Sequence, residues 1–367
     1  MKGSFYMHKA LSTAVIIYIL TGLVLMPDVC IESASAGVLL CINVIIPSLF
    51  PFFVCSKILI KNGFADKVSK PLQGIMRPVF NVPGCGAFAF VIGILSGCPV
   101  GAKCVADMYS DGLCTKAEAQ RMICFCNNSG PLFIIGAVAA GMFDFSEIGT
   151  VLYLSHILSA VTAGVIMSHY KKDEIIRNNY LPKSDKKTDY ISESVRESVS
   201  LTGYVCGFVI FFAVAISIFQ QAGIVDSLTY GFEEKNIIKG IVYGLAEMTN
   251  GISLISQSKL NVLVFCAVSF IMGFGGLSVI LQVDGIISKH KLSISVFVLM
   301  KFVQGLLSAL YTYIIFTVFQ ITIPVFMPHN ADMSAFNYWA YSIKLLLIFG
   351  IAIFILSIFK VIYKILR

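Results

Sequence analysis

Continuous apolar runs constrain this chain more than any other feature. Ser200–Phe219 and Leu345–Tyr363 are mostly apolar and each about twenty residues long, roughly the 20 residues a helix needs to cross a bilayer's hydrocarbon core. Charged residues make up only 13% of the 367, and 57% are hydrophobic, whereas soluble domains carry about 25% charged residues. The composition therefore predicts an all-α polytopic membrane protein. The net charge of +7 is concentrated in the gaps between apolar runs. That distribution fits orientation in a membrane and contains no basic stripe interleaved with aromatics, so nucleic acid is not an expected partner.

Eight spans are predicted, at about 11–26, 36–60, 121–142, 149–169, 199–221, 260–282, 293–323 and 337–363. Two further apolar stretches, 83–103 and 237–256, are interrupted by SGCPVG and EMTNG and read as re-entrant hairpins. The expected organisation is an N-terminal helix in 1–35, a first repeat in 36–169, a basic cytoplasmic loop in 170–197, a second repeat in 198–325 and a C-terminal helix in 326–367. Ala34-Ser35-Ala36 resembles a small-residue cleavage site, but a retained first helix is the expectation. Lys2 and Lys9, then Lys61, Lys67, Lys70 and Arg77, then the run HYKKDEIIRNNYLPKSDKK, then Lys289 and Lys291, and finally Lys360, Lys364 and Arg367 all fall on one side in this arrangement. The positive-inside rule makes that side, with both termini, cytoplasmic. The loops with Asp28 and Glu32, Asp144 and Glu147, and Asp226, Glu233 and Glu234 lie opposite.

The two halves echo each other. GILSGCPVGA aligns with GLAEMTNGIS, and FCNNSGPLFII with FIMGFGGLSVI, which sets Gly130-Pro131 against Gly275-Gly276. Three spans separate the starts of the units, so they run in opposite directions. Inverted repeats with broken helices near the midplane are the pattern of secondary transporters.

The breaks carry the chemistry. An unpartnered carboxamide or hydroxyl in an apolar medium costs several kcal/mol, and unwinding at Gly130-Pro131 exposes further backbone groups. Asn127, Asn128 and Ser129 therefore read as a binding point for a solute, ion or water, or as structural bonds between helices. In the first hairpin the tip comprises Ser96, Gly97, Cys98 and Pro99. Lys103 beyond it either attracts an anion or snorkels. In the second, Glu247 is flanked by Thr249 and Asn250. A carboxylate inside the membrane marks a functional site by default, so Glu247 is the expected group for proton or sodium coupling, with a structural bond as the alternative. Gln282 and Asp284 are placed at the cytosol, Lys301 and Lys344 are expected to snorkel, and His156 is placed in the core.

Other chemistries are set aside on spacing. GCPVGAKC lacks the phosphate-loop pattern, and neither G-x-S-x-G nor H-E-x-x-H occurs. No enzyme or cofactor is expected. Eleven cysteines contain one tight pair, Cys124 and Cys126, too few paired ligands for zinc; they read as reduced packing residues.

PSLFPFFVCSKIL, NVPGCGAFAFVIGILSGCPVGAK and FCNNSGPLFIIGAV closely resemble the YlbJ-type sporulation membrane proteins of the gate-domain, or nucleoside-recognition, family. The resemblance is strongest over about 36–140. It implies a spore-forming bacterium, residence in the outer forespore membrane, and transport of dipicolinate out of the mother-cell cytosol. It also implies a distant likeness to concentrative nucleoside carriers. The family pattern has an aromatic residue where Cys98 stands here. On this reading Ser96, Asn127, Asn128, Ser129, Thr249 and Asn250, with backbone N–H groups at the hairpin tips, hold the carboxylates of an anionic solute, and Gly97, Cys98, Pro99, Gly130, Gly275 and Gly276 complete the substrate-binding set. Lys103 raises its local concentration, and the hairpins and broken spans move against the other helices to give alternating access. A homo-oligomer is a further expectation. A nucleoside or other small-solute carrier, and a non-transporting sporulation assembly factor, stay open as alternatives.

Overall fold

Residues 2–62, 64–171, 190–232 and 234–319 are described by the computed structural model, and among them there is no strand. The chain enters through α1 (Lys2–Leu25) and α2 (Pro27–Leu40), bent by 105° between Thr13–Leu25 and Pro27–Asn43. Pro27 stands in the first turn of α2, with Asp28 beside it. The missing proline N–H is no loss at that position, and the carboxylate favours the helix N-terminus. The expected acidic loop with Asp28 and Glu32 is therefore helix. Asp28 is a start signal, not a loop marker, and Glu32 lies within the helix.

A π-helical segment, Cys41–Ile45, leads into α3 (Ile46–Lys61), and α4 (Phe64–Phe80) follows. The stretch expected as a basic cytoplasmic segment is thus mostly helical. Met76 and Phe80 on α4 are buried while Ile75 is exposed, and the helix lies against α5 (Cys85–Ser96).

The predicted hairpins are helix pairs folded back on themselves. α5 and α6 (Val100–Ser110) turn at Gly97–Pro99, where Gly97 adopts φ 90°. Both arms clasp the end of α7 (Lys116–Cys126). A Cβ at Gly93 would fall 1.7 Å from the Cys126 carbonyl oxygen, and one at Gly101 would fall 1.8 Å from it. α7 is launched by a capping box: the Thr115 hydroxyl accepts from Glu118 N–H at 3.2 Å, and the Glu118 carboxylate accepts from Thr115 N–H at 2.8 Å. The helix stops at Cys126. Non-helical residues Asn127–Gly130 separate it from a π-helix, Leu132–Met142, which leads to α8 (Ser146–Met167).

The second half repeats this plan. α9 (Tyr190–Gln221) and the short α10 (Ile224–Leu228) precede α11 (Lys235–Ala246) and α12 (Met248–Ile255), which turn at Glu247. These two arms touch through Gly240, Gly244 and Gly251, where a Cβ on Gly251 would lie 2.3 Å from the Gly244 Cα. α13 (Val262–Phe274) breaks at Gly275–Gly276 into α14 (Gly276–Ile287), and α15 (Ile294–Phe319) completes the described chain. α2 and α3 lie along α9, α13 lies along α8, and α14 touches α6, α9 and α11. The largest core cluster joins Met76, Phe88, Met122, Phe125, Val279, Ile280 and Phe297, so the first hairpin and α7 are its centre.

Four helices are long and apolar enough to cross a membrane: Ser146–Met167, Ile191–Gln221, Val262–His290 and Ile294–Phe319. The count among the described residues rises to six if each bent pair is one span. This is fewer than the eight predicted. The span expected over 337–363 lies outside the described residues, as do the basic loop from 172 to 189 and the C-terminal charges. The first predicted span shares a bend with α2 and the second is broken by the π-helical segment.

Candidate functional site

In each half the hairpin tip rests on the break. A Cβ at Gly130 would meet Gly97 N at 3.2 Å; a Cβ at Gly276 would meet Gly244 O at 3.0 Å and Ala246 O at 3.3 Å. In both halves a glycine of the break thus packs against backbone at or next to its hairpin tip. Between the two tips lies a cavity of about 120 Å³. Its polar wall comes from Ser96, Gly97 and Cys98 of the first tip, Ser129 and Gly130 of the first break, Glu247 and Thr249 of the second tip, and Ser278 and Gln282 of α14. Leu40, Leu49, Phe52, Leu132, Phe133 and Val205 supply the apolar wall.

Glu247 ends α11 and caps α12. Its carboxylate accepts from Thr249 N–H at 3.1 Å, Asn250 N–H at 2.9 Å and the Asn250 amide at 2.9 Å. Extended backbone at Glu247 breaks the helix pair there, so one residue makes the turn, satisfies the new N-terminus and faces the cavity. Asn250 acts through this carboxylate and is not part of the lining.

The first break is held from behind. Lys301 on α15, only 1% exposed, donates its ammonium to the Asn127 carbonyl at 3.0 Å and to Gln304 Oε1 at 2.7 Å. Gln304 Nε2 donates to Asn128 Oδ1 at 2.9 Å, and Asn128 Nδ2 donates to the Phe125 carbonyl at 2.7 Å. His156 on α8 accepts from Ser129 N–H at 3.0 Å through Nε2, so its ring proton rests on Nδ1. The Cys98 thiol donates to the Asn128 carbonyl at 3.0 Å. Released backbone groups in the unwound segment are thus met by side chains from three other elements, as a break in an apolar medium requires.

Several polar atoms here have no such match. Ser96 Oγ, Ser129 Oγ, His156 Nδ1 and both side-chain atoms of Asn127 are buried and have no hydrogen-bond partner among the described residues. Leaving a buried polar group unmet costs roughly 1–3 kcal/mol. Two of them, the Ser96 and Ser129 hydroxyls, belong to residues that line the cavity.

Some expectations change. Lys301 does not snorkel: it points inward, to the break. Lys103 is bonded to Asp107 one turn along α6 and is not a lining residue. It belongs to a charge cluster in which Lys57 meets Asp107 at 3.2 Å and also pairs with Glu197, and Lys61 meets Glu193 at 2.8 Å, tying α3, α6 and α9 together. Gln282, expected at the cytosol, is 3% exposed and lines the cavity. His156 is in the core as expected, but it has a partner. Asn127, Asn128, Pro99, Gly275 and Gly276 form the breaks without lining the cavity. Glu247 bonds its own helix, not the Asn pair or Lys103.

The sequence reading missed Lys301 and Gln304 as site residues, although the signal was there. Lys301, Gln304, Ser308 and Thr312 recur at spacings of three and four along α15, which places them on one helical face. All four are buried. Arg121 was also read as a span end. It is fully buried and donates to the backbone carbonyls of Asn81 at 2.6 Å and Tyr170 at 2.7 Å, anchoring α7 to the ends of α4 and α8. The eleven cysteines form no disulfide.

Long apolar helices, two helix pairs folded back onto two broken helices, and a polar-and-apolar cavity where they meet define an integral membrane protein with an interior cavity. Comparison with known proteins makes the class specific. Residues 42–146, from the π-helical segment to the start of α8, match the Gate family, described as nucleoside recognition. The chain is also 30% identical over 318 residues to the sporulation integral membrane protein YlbJ of Bacillus subtilis (strain 168), covering 79% of this chain and 78% of that relative. It therefore belongs to the YlbJ-type sporulation integral membrane proteins. No solved structure matches it.

Proposed function

We propose that this protein is a carrier that moves a small anionic solute, dipicolinate, from the mother-cell cytosol across the outer forespore membrane. The observation that carries the carrier reading is the cavity shared by both hairpin tips and the first break, with two buried hydroxyls, Ser96 and Ser129, that lack partners among the described residues. Dipicolinate as the substrate rests on the family resemblance. A flat ring suits the apolar wall of Phe52 and Phe133, and its carboxylates suit donors on the opposite wall. The paired tip-and-break geometry in both halves supports alternating access, with the hairpins re-entrant and the repeats inverted in the membrane.

Glu247 supplies the link to protons. Its ionised carboxylate would repel an anionic solute inside a poorly hydrated cavity, where charges interact strongly. A proton on Glu247 removes that repulsion, so loading an anion and binding a proton favour each other.

A second reading has its own support. An ionised Glu247 beside Gln282 is suited to accept hydrogen bonds from sugar hydroxyls, and the matched family is described as nucleoside recognition. Uptake of labelled dipicolinate into proteoliposomes, with uridine as competitor, separates the two. Dipicolinate transport should resist uridine, and Ser129→Ala should lower it about tenfold or more, as expected for a lost hydrogen bond to a charged group worth roughly 1.5–3 kcal/mol. Uridine uptake without dipicolinate uptake would favour the nucleoside reading. Undiminished uptake by folded Ser96→Ala and Ser129→Ala proteins would remove the site assignment.

A further inference from the structure

Lys301 has a feature that transport of a solute does not explain. It is a buried cation whose two hydrogen-bond acceptors among the described residues are both neutral. One is the carbonyl of Asn127, the residue that caps the C-terminal end of α7. That end concentrates partial negative charge because the last carbonyls of a helix lack intrahelical donors. The other is Gln304 Oε1, held in place by the bond from Gln304 to Asn128. Two oxygens, one from an unwound backbone and one from a carboxamide, converge on a single positive charge in the interior.

Unwound carbonyls and half-helix C-terminal ends are what broken-helix carriers use to coordinate a sodium ion. We infer that the Lys301 ammonium is a tethered resident cation at the first break, standing where a coupling sodium ion would otherwise bind, so that this break keeps its bound shape without sodium. The geometry favours an ammonium over a freely exchanging ion. Lys301 is anchored on α15, a different element from the break, and its charge arrives with the fold. Its removal would leave the Asn127 carbonyl and Gln304 Oε1 facing each other without a donor, together with the Asn127 side chain, whose oxygen and nitrogen already have no partner among the described residues. A sodium ion of the right size could then take the vacated oxygens. Lys301 is thus a positioning residue that sets ion dependence. It is not itself among the residues that line the cavity, and the inference rests on the carrier reading only for its consequence in transport.

The test compares thermal unfolding of purified protein in sodium chloride and in choline chloride, for the wild type and for Lys301→Ala. The wild type should unfold at the same temperature in both salts. Lys301→Ala should be less stable in choline and should regain several degrees in sodium. Equal sodium stabilisation of both proteins would overturn the inference, as would a folded Lys301→Ala indifferent to the salt. Should that variant not fold, solute uptake by the wild type with choline replacing all sodium decides the matter: unchanged uptake is expected, and a sodium requirement contradicts the inference. The unfolding measurement needs no substrate. Absence of uptake in any salt would count against the carrier reading and leave the ion result standing.

Discussion

A methyl group at Gly93 would lie 1.7 Å from the Cys126 carbonyl oxygen, and backbone on both sides leaves it nowhere to move. Gly93→Ala should therefore destabilise the protein by at least the roughly 1–3 kcal/mol of an overpacked core. Gly136→Ala, whose nearest neighbour is a Leu132 side-chain carbon at 3.6 Å, should be nearly neutral in the same thermal-unfolding assay. An equal effect of the two would contradict the clasp of the hairpin on α7. Gln304 makes a different kind of demand. It accepts from Lys301 and donates to Asn128, so Gln304→Leu removes one partner from each and should cost about 1–3 kcal/mol per group left unmet. Combined with Asn128→Leu, the loss should be less than the sum of the two, because both substitutions remove the same bond. Residue identities of this kind were only partly legible. Asn127, Asn128 and Ser129 stand out because polar groups interrupt an apolar run. Lys301 was misplaced because hydropathy reports depth along a helix and says little about which side a lone cation faces.

At the scale of elements, the interruptions of apolar runs were the most readable feature. Thr115 and Glu118 form a reciprocal cap that starts α7 at Lys116, five residues before the predicted span start at 121, and Thr115→Ala should cost about 0.5–2 kcal/mol, read as a lower unfolding midpoint; no change would mean that packing alone positions α7. The breaks at Gly97, Gly130 and Gly275 followed from glycine and proline in apolar runs, and the structure shows each of them between helices. Two elements were not legible. Acidic residues such as Asp28 and Glu32 suggest an exposed loop by charge alone, whereas Pro27 and Asp28 are helix-start residues. The fold of α4 depends on burying Met76 and Phe80 against the first hairpin, a tertiary contact that its basic composition does not announce.

Over the whole molecule, the breaks were legible as glycines in apolar runs; in the structure each hairpin tip meets the break that follows it, and a cavity lies between the two tips. What no local pattern revealed is the crossing between halves. Lys301 and Gln304 of the second half hold the break of the first, and Glu247 of the second tip shares a cavity with Ser96 and Ser129 of the first. Contacts separated by more than a hundred residues arise from packing and leave no spacing to read. This coupling gives the carrier account its physical basis, because a proton or solute that alters one half acts directly on groups supplied by the other. The most direct test is uptake of labelled dipicolinate into proteoliposomes containing the purified protein, with and without an imposed pH gradient. The account predicts uptake that the gradient enhances and that Glu247→Gln makes insensitive to it; folded, correctly inserted protein that takes up neither dipicolinate nor uridine under either condition would contradict it.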